Sequence, residues 1–360
     1  MSMFSRTSRI ACSRLTQLST QVTPRTRTMA TLHTKLPLNT GAEIPAVGFG
    51  TWQDADAQEA AVAEALKAGY RHIDTARMYV SHPLTLWSTH STNRPHSYAT
   101  EPAVGKAIKK SGIPRSEVFI TTKLWNNSHH PDDVGPALDA SLKDLDTDYL
   151  DLYLMHWPSP FARSSTLIPK DSNGKIQTGD TDYLDTWRAM EALLKTGKTK
   201  AIGISNFSKA ELERLLANCS VVPAAHQLEL HPWLQQRSFV EFNKSKGIHI
   251  QQYSPFGNQN AVYSSGQNMG KLIEDPVIQE IGKKYNKNGA QVALAWGIAN
   301  GHSVLPKSKT PERIRSNLEG DFKLEKEDLK KLEGIDKKLR FNDPSEGFGW
   351  KFYADLEGKK

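Results

Sequence analysis

Cysteine is almost missing from this chain: Cys12 and Cys219 are the only two in 360 residues. Cys12 lies in an Arg-rich leader, which leaves one cysteine in the body and no internal disulfide, as fits an intracellular protein. Cys219 closes the helical stretch SKAELERLLANC and reads as a small packing residue rather than a nucleophile. No run approaches the ~18 apolar residues of a membrane helix. Acid is missing from residues 1–28, which carry Arg6, Arg9, Arg14, Arg25 and Arg27. From Met29 onward 41 basic residues face 39 acidic ones, so the net charge of +7 shrinks to +2 in the body. That leaves no basic footprint for nucleic acid. A dinucleotide fingerprint G-x-G-x-x-G is also missing, since GFGTW (48–52) has two of the glycines and then stops. A Rossmann-type site is therefore unsupported.

The leader is rich in Ser, Thr and Arg, with Phe4, Ala11, Leu15, Leu18 and Val22 at helical spacing. That is the composition of a mitochondrial transit peptide. The alternative is a translation start at Met29. The expected location is the cytoplasm, or the mitochondrial matrix if the leader is real.

From residue 35 the pattern is regular. Eight β-branched runs read as strands: AVGFGT (46–51), RHIDTA (71–76), VFITTKL (118–124), LDLYLMH (150–156), AIGISN (201–206), AHQLEL (225–230), HIQQYSP (249–255) and SVLPKS (303–308). Stretches with apolar residues at 3.6 spacing alternate with them. Gly69, Gly112, Gly197 and Gly247 follow helical stretches, as left-handed C-caps do. Strict alternation implies a parallel sheet, and eight strands close a barrel. We expect an α/β protein with a single (β/α)8 TIM barrel over 35–340. An open doubly wound sheet is the alternative.

In a barrel, function gathers where strands end. Those ends carry Thr51, Trp52, Asp74, Lys123, Trp125, His156, Trp157, Ser205, Asn206, Gln227, Tyr253, Ser254, Lys307 and Ser308. A buried Lys123 needs a partner, and Asp74 on the neighbouring strand supplies one. A tyrosine near that cation would have its pKa lowered and could act as a general acid. A neutral His156 could orient a carbonyl oxygen. Trp52, Trp125 and Trp157 would wall a mostly apolar pocket. Each residue has a bland reading: a structural ion pair, a satisfied core histidine, simple aromatic packing. Their joint placement at successive strand ends favours a site.

GYRHIDTA, FITTKLW, YLMHWP, IGISNF, QLELHP, YSPFG and LPKSKTPERI stand in the order and spacing of the aldo-keto reductases, and over residues 35–360 the chain resembles that family. The resemblance implies a (β/α)8 barrel that binds extended NADPH and reduces aldehydes or ketones, with the Gly-, aromatic- and Asp-rich tail 341–360 folded over the active site as a substrate loop. It puts the catalytic tetrad on Asp74, Tyr79, Lys123 and His156. It puts the nicotinamide carboxamide on Ser205, Asn206 and Gln227, with Tyr253 stacked on the ring. Lys307, Ser308 and Arg313 would hold the 2′-phosphate, and Asn317 an adenine contact, although Ser316 stands where the family usually has Glu. Gly50, Thr51 and Ser254 complete the expected cofactor set. Lys307 and Arg313 favour NADPH over NADH, because a phosphomonoester needs positive charge. No metal site is expected, the partner is a small carbonyl compound, and a monomer suffices.

One stretch departs from the family. Tyr79 keeps the family distance from Asp74, while Tyr98 keeps the family distance from Thr100 and Glu101. Residues 80–97 are His-, Ser-, Thr- and Pro-rich. We read them as a retained intron: Met78-Tyr79 codons contain a GT and a Ser97 codon can supply the closing AG. Tyr98 would then be the catalytic tyrosine. A genuine inserted loop is the alternative. A metal site from His82, His90 and His96 fits no common ligand spacing. Small aldehydes, aldoses and glyceraldehyde are all compatible substrates. A non-catalytic NADPH-binding barrel, or a reductase inactivated by the insertion, is the competing function.

Three weaker signals are read as structural. HQLELH (226–231) is no zinc pair, because positions five apart on a strand face opposite ways. His129 and His130 read as surface residues of a polar loop. LEKEDLKKLEGID (324–336) reads as a solvated amphipathic helix.

Overall fold

The computed structural model describes residues 34–52, 57–78, 100–257 and 270–358. The leader 1–28, the insertion 80–97, Tyr79 and Tyr98 lie outside the described residues.

A short antiparallel hairpin comes first, β1 (Lys35–Pro37) paired with β2 (Glu43–Pro45). Eight parallel strands follow in chain order: β3 (Phe49–Gly50), β4 (His72–Asp74), β5 (Phe119–Leu124), β6 (Leu152–Met155), β7 (Ile202–Ser205), β8 (Ala225–Glu229), β9 (His249–Tyr253) and β10 (Ser303–Leu305). All eight fall inside the runs expected from sequence. The ends of the sheet meet. Val47 bridges Val304, Gly48 N–H donates to Val304 O at 2.9 Å, and Gly50 N–H donates to Pro306 O at 3.0 Å. These bonds favour the barrel over the open sheet, because an open sheet leaves both edge strands unpaired.

Helices wrap the outside: α1 (Gln58–Ala68), α2 (Glu101–Ser111), α3 (Pro131–Leu145), α4 (Tyr183–Leu193), α5 (Lys209–Leu216), α6 (Arg237–Ser245), α7 (Pro276–Tyr285), α8 (Gly289–Ala299) and α9 (Pro311–Leu318). α10 (Lys326–Glu333) and the short α11 (Ser345–Phe348) follow the last strand. Gly69, Gly112, Gly197 and Gly247 are all left-handed, as their C-terminal placement requires.

Strand alternation divides the interior in two. Residues facing the helices, such as Ile73, Ile120, Tyr153, Ile204 and Ile250, join helix side chains in one large apolar shell. A small separate cluster of Leu152, Leu154, Ala201, Ala224 and Ala225, with Phe119 against it, forms an apolar floor. The opposite end of the barrel holds polar side chains instead. Close approach matters at Gly48, where a Cβ would sit 2.4 Å from His72 Nδ1.

Among the described residues, five buried histidines besides His156 are held neutral by desolvation. His72 and His249 are lowered to about 4, and His129, His226 and His302 to about 3. The unfolded chain takes up these protons near pH 6.5 and the folded chain does not, so stability falls as pH drops below 6.5. At pH 5 each such histidine costs about 2 kcal/mol by this linkage. We expect the thermal midpoint to fall steeply between pH 6.5 and 4, with several protons taken up on unfolding. A flat profile across that window, measured by calorimetry, would contradict the buried neutral state.

Candidate active site

β4 ends on Asp74 and β5 carries Lys123 next to it, with both side chains turned into the barrel. Lys123 is 1 % exposed, and its Nζ donates to Asp74 Oδ1 at 2.7 Å and to Thr75 O at 2.9 Å. The second carboxylate oxygen of Asp74 accepts from Gln227 Nε2 at 2.7 Å, and that amide also reaches Gln251 Oε1 at 3.2 Å. Burial lowers the Lys123 pKa, and Asp74 opposes the shift by favouring the ammonium. Thr51 closes the layer, its hydroxyl donating to Asp74 O at 3.1 Å.

His156 follows β6. Desolvation holds its imidazole well below the usual histidine value, with Lys123 and His129 adding like-charge repulsion. The ring sits edge-on to Trp125, with centroids 5.2 Å apart, and lies nearly parallel to Trp157. Trp125 is pinned by its indole N–H, which donates to Leu167 O at 2.6 Å. Met78, Phe161, Phe348 and Phe352 complete an aromatic wall with Trp125, against which Trp157, Trp350 and Tyr353 pack. Trp52 is half-buried at the end of the first barrel strand.

Asn206, just past β7, takes the left-handed conformation at φ 62°, a position non-glycine residues rarely occupy without a functional reason. Its Nδ2 donates to His156 O and to Ser205 Oγ, both at 3.0 Å. Its Oδ1 accepts from Tyr253 Oη at 2.8 Å. Burial raises the Tyr253 phenol well above its ordinary value. Ser254, at φ 47°, accepts from Asn342 Nδ2 at 3.2 Å. Gly50 pairs with Asp74 across β3 and β4.

Lys307, Ser308 and Arg313 gather around the start of α9. Thr310 is its N-cap without a side-chain cap bond, Pro311 opens the helix, and Arg313 is exposed in the first turn. Thr310 N–H donates to Ser308 Oγ at 3.1 Å, and a helix N-terminus favours negative charge nearby. Asn317 is buried on the same helix, and Ser316 accepts from Asn288 Nδ2 at 3.0 Å.

The chain on either side of residues 79–99 is stitched together by described residues alone. Thr75 Oγ1 and Thr100 Oγ1 are 2.8 Å apart, and Thr100 Oγ1 also donates to Ala76 O at 3.4 Å. Glu101, fully buried, accepts from Thr122 Oγ1 at 2.6 Å.

Several contributors were not singled out from sequence: Thr75, Gln251, Phe161, Phe348, Phe352 and Tyr353. Phe161 lies five residues beyond His156, and the tail aromatics belong to the aromatic-rich segment that the resemblance puts over the site. Cys219 is half-buried beyond the end of α5 and packs against the outer core. His129 corrects the surface reading. It is 1 % exposed, and its backbone carbonyl, just past the turn Asn126–Ser128, accepts from Thr186 Oγ1 of α4 at 2.7 Å. His226 and His231 do face different partners, Asn243 and Glu229, and no metal-binding cluster occurs among the described residues.

One mouth of the parallel eight-stranded barrel thus carries a buried lysine–carboxylate pair and a neutral histidine. The aldo/keto reductase family profile matches residues 46–337. Glycerol 2-dehydrogenase (NADP(+)) of Saccharomyces cerevisiae is 44 % identical over 323 residues, covering 86 % of this chain and 93 % of the yeast protein. An uncharacterized oxidoreductase of Schizosaccharomyces pombe is 44 % identical over 305 residues, covering 84 % and 88 %. Human aldo-keto reductase family 1 member A1 is 38 % identical over 311 residues, covering 84 % and 90 %. An aldose reductase structure from Schistosoma japonicum superposes with a TM-score of 0.77 at 33 % identity, covering 89 % of this chain and 98 % of that one. This chain belongs to the aldo/keto reductase family, and it is an oxidoreductase that acts on carbonyl groups. No helix among the described residues is long and apolar enough to cross a membrane.

Removing one partner of a buried ion pair strands the other. We expect Asp74→Ala to cost about 3–5 kcal/mol of stability by that argument, read from urea denaturation. Asp74→Leu combined with Lys123→Met should recover most of it, and a double-variant loss equal to the sum of the two single-variant losses would show that the pair is not coupled.

Proposed function

We propose that this chain reduces small aldehydes and ketones to alcohols with NADPH as its cofactor. The observation that carries the reading is Lys123 Nζ, buried between Asp74 Oδ1 and Thr75 O with its charge acting on His156. NADPH, when bound, supplies the hydride. Ser205, Asn206 and Gln227 offer amide and hydroxyl groups that fit a carboxamide, with Tyr253 and Ser254 beside them and Gly50 and Thr51 on the opposite rim. Lys307, Ser308 and Arg313 at the start of α9 fit a phosphomonoester, with Asn317 behind them for the adenine. The NADP(+) in the yeast relative's name agrees with this preference.

Neutral His156 orients the carbonyl oxygen as a hydrogen-bond donor. Protonated Lys123 stabilises the phenolate of the proton donor, and Asp74 keeps Lys123 charged. The donor is a tyrosine of the segment 79–99: Tyr79 by its distance from Asp74, or Tyr98 by its distance from Thr100. Trp52, Trp125 and Trp157 favour a substrate with an apolar body.

The test is NADPH consumption with glyceraldehyde, xylose and an aromatic aldehyde. Lys123→Met should abolish turnover, by about 100-fold or more as befits loss of acid catalysis, while NADPH binding persists. Binding without any turnover in the unaltered chain would favour a non-catalytic barrel or a reductase silenced by its insertion.

The bonds between Thr100 and Thr75–Ala76 support a second expectation. Excision of residues 79–97, joining Met78 to Tyr98, should give a folded protein with Tyr98 at the family distance from Asp74. If it is active and the full chain is not, 79–97 is a retained intron or an inhibitory loop. If excision lowers activity, the longer loop belongs to the enzyme and Tyr79 is the donor.

A further inference from the structure

Besides the Asn342–Ser254 and Arg340–Glu357 bonds, the C-terminal segment is fastened at four places. Phe341 N–H and Asn342 N–H donate to the two oxygens of buried Glu229, each at 2.8 Å. Trp350 Nε1 donates to Glu211 Oε1 at 2.7 Å. Asp355 accepts from Ala210 N–H at 2.7 Å, at the first turn of α5. The fourth fastening is the weakest: Tyr353 Oη donates to Asn206 Oδ1 at 3.4 Å.

That fourth contact falls on an atom with no capacity to spare. An amide oxygen has two lone pairs. Asn206 Oδ1 already accepts from Tyr253 at 2.8 Å and from Tyr353 at 3.4 Å. The amide cannot swing aside, because Nδ2 is committed to His156 O and Ser205 Oγ and the backbone is fixed at φ 62°. A third donor arriving at this oxygen must displace one of the two phenols. Tyr353 makes the longer bond and sits on the chain's terminal segment. Tyr253 ends a barrel strand. The displaced Tyr353 hydroxyl has Tyr253 beside it as another partner, while Arg340 stacks on its ring at 3.8 Å.

We propose that Tyr353 competes with the carboxamide N–H of the nicotinamide for Asn206 Oδ1, so that cofactor binding and docking of the C-terminal segment oppose each other. The inference rests on the NADPH reading above. It makes Tyr353 a positioning residue that links the substrate side of the pocket to cofactor occupancy. Reciprocity requires that whatever NADPH loses to Tyr353, the segment loses to NADPH.

The experiment is an NADPH titration of the full chain and of Tyr353→Phe, followed by quenching of intrinsic fluorescence. Loss of one weak competing hydrogen bond should lower Kd about two- to five-fold. An unchanged or raised Kd in Tyr353→Phe overturns the competition. Hydrogen exchange of the unaltered protein gives a second measure: NADPH should speed exchange of amides 350–356, and slower exchange there overturns it. Failure of the unaltered chain to bind NADPH at all would instead overturn the cofactor reading, and this proposal with it.

Discussion

The site depends on one buried charge. Lys123 lies inside the barrel with Asp74 as its counter-ion, and neither group is worth burying for stability alone. Keeping the ammonium charged there takes the carboxylate, the Thr75 carbonyl and a filled second oxygen on Asp74, which Gln227 supplies. Three strands, β4, β5 and β8, must therefore keep their register. An apolar floor of Leu152, Leu154 and Ala225 seals the barrel beneath, away from this polar layer. The same desolvation that strains Lys123 keeps His156 neutral, so one low-dielectric setting prepares both groups.

Around that layer the rim is held by residues in unusual backbone states. Asn206 and Ser254 are both left-handed, both follow a barrel strand, and both bond the C-terminal segment. Strain at such positions persists only where surroundings over-determine it. Here the over-determination comes from His156 O, Ser205, Tyr253 and the tail together. The rim that faces the cofactor in our reading is thus also the dock for the segment that walls the substrate side.

Buried Glu229 shows how a polar group in the apparent core of a motif serves the tail instead. Burial works against its charge, yet the hydrogen bond and charge of His231, the charge of Arg340 and the Phe341 N–H together hold its carboxyl below the usual range. QLELHP thus contributes Gln227 to the Lys123–Asp74 layer and Glu229 to the tail, two residues apart on the same face of β8.

The eight strands, their helices and the left-handed glycines were legible in the chain, because period-two and period-3.6 patterns and cap residues are local properties. Asp74, Lys123 and His156 were legible as strand-end residues whose chemistry is mutually compatible. Tertiary structure alone decided what depends on contacts between distant segments. It buried His129, which follows the 3₁₀ turn Asn126–Ser128 and is tied to Thr186 of α4, in a loop that reads as polar. It chose the partners of the tail aromatics, setting Phe348 and Phe352 on Trp157 and Tyr353 on Asn206, the last pair 147 positions apart in the chain. It joined Thr100 to Thr75, although the residues between them suggest separation. Such pairings follow from how the barrel closes and where its last segment lands, and no local pattern in either partner encodes them.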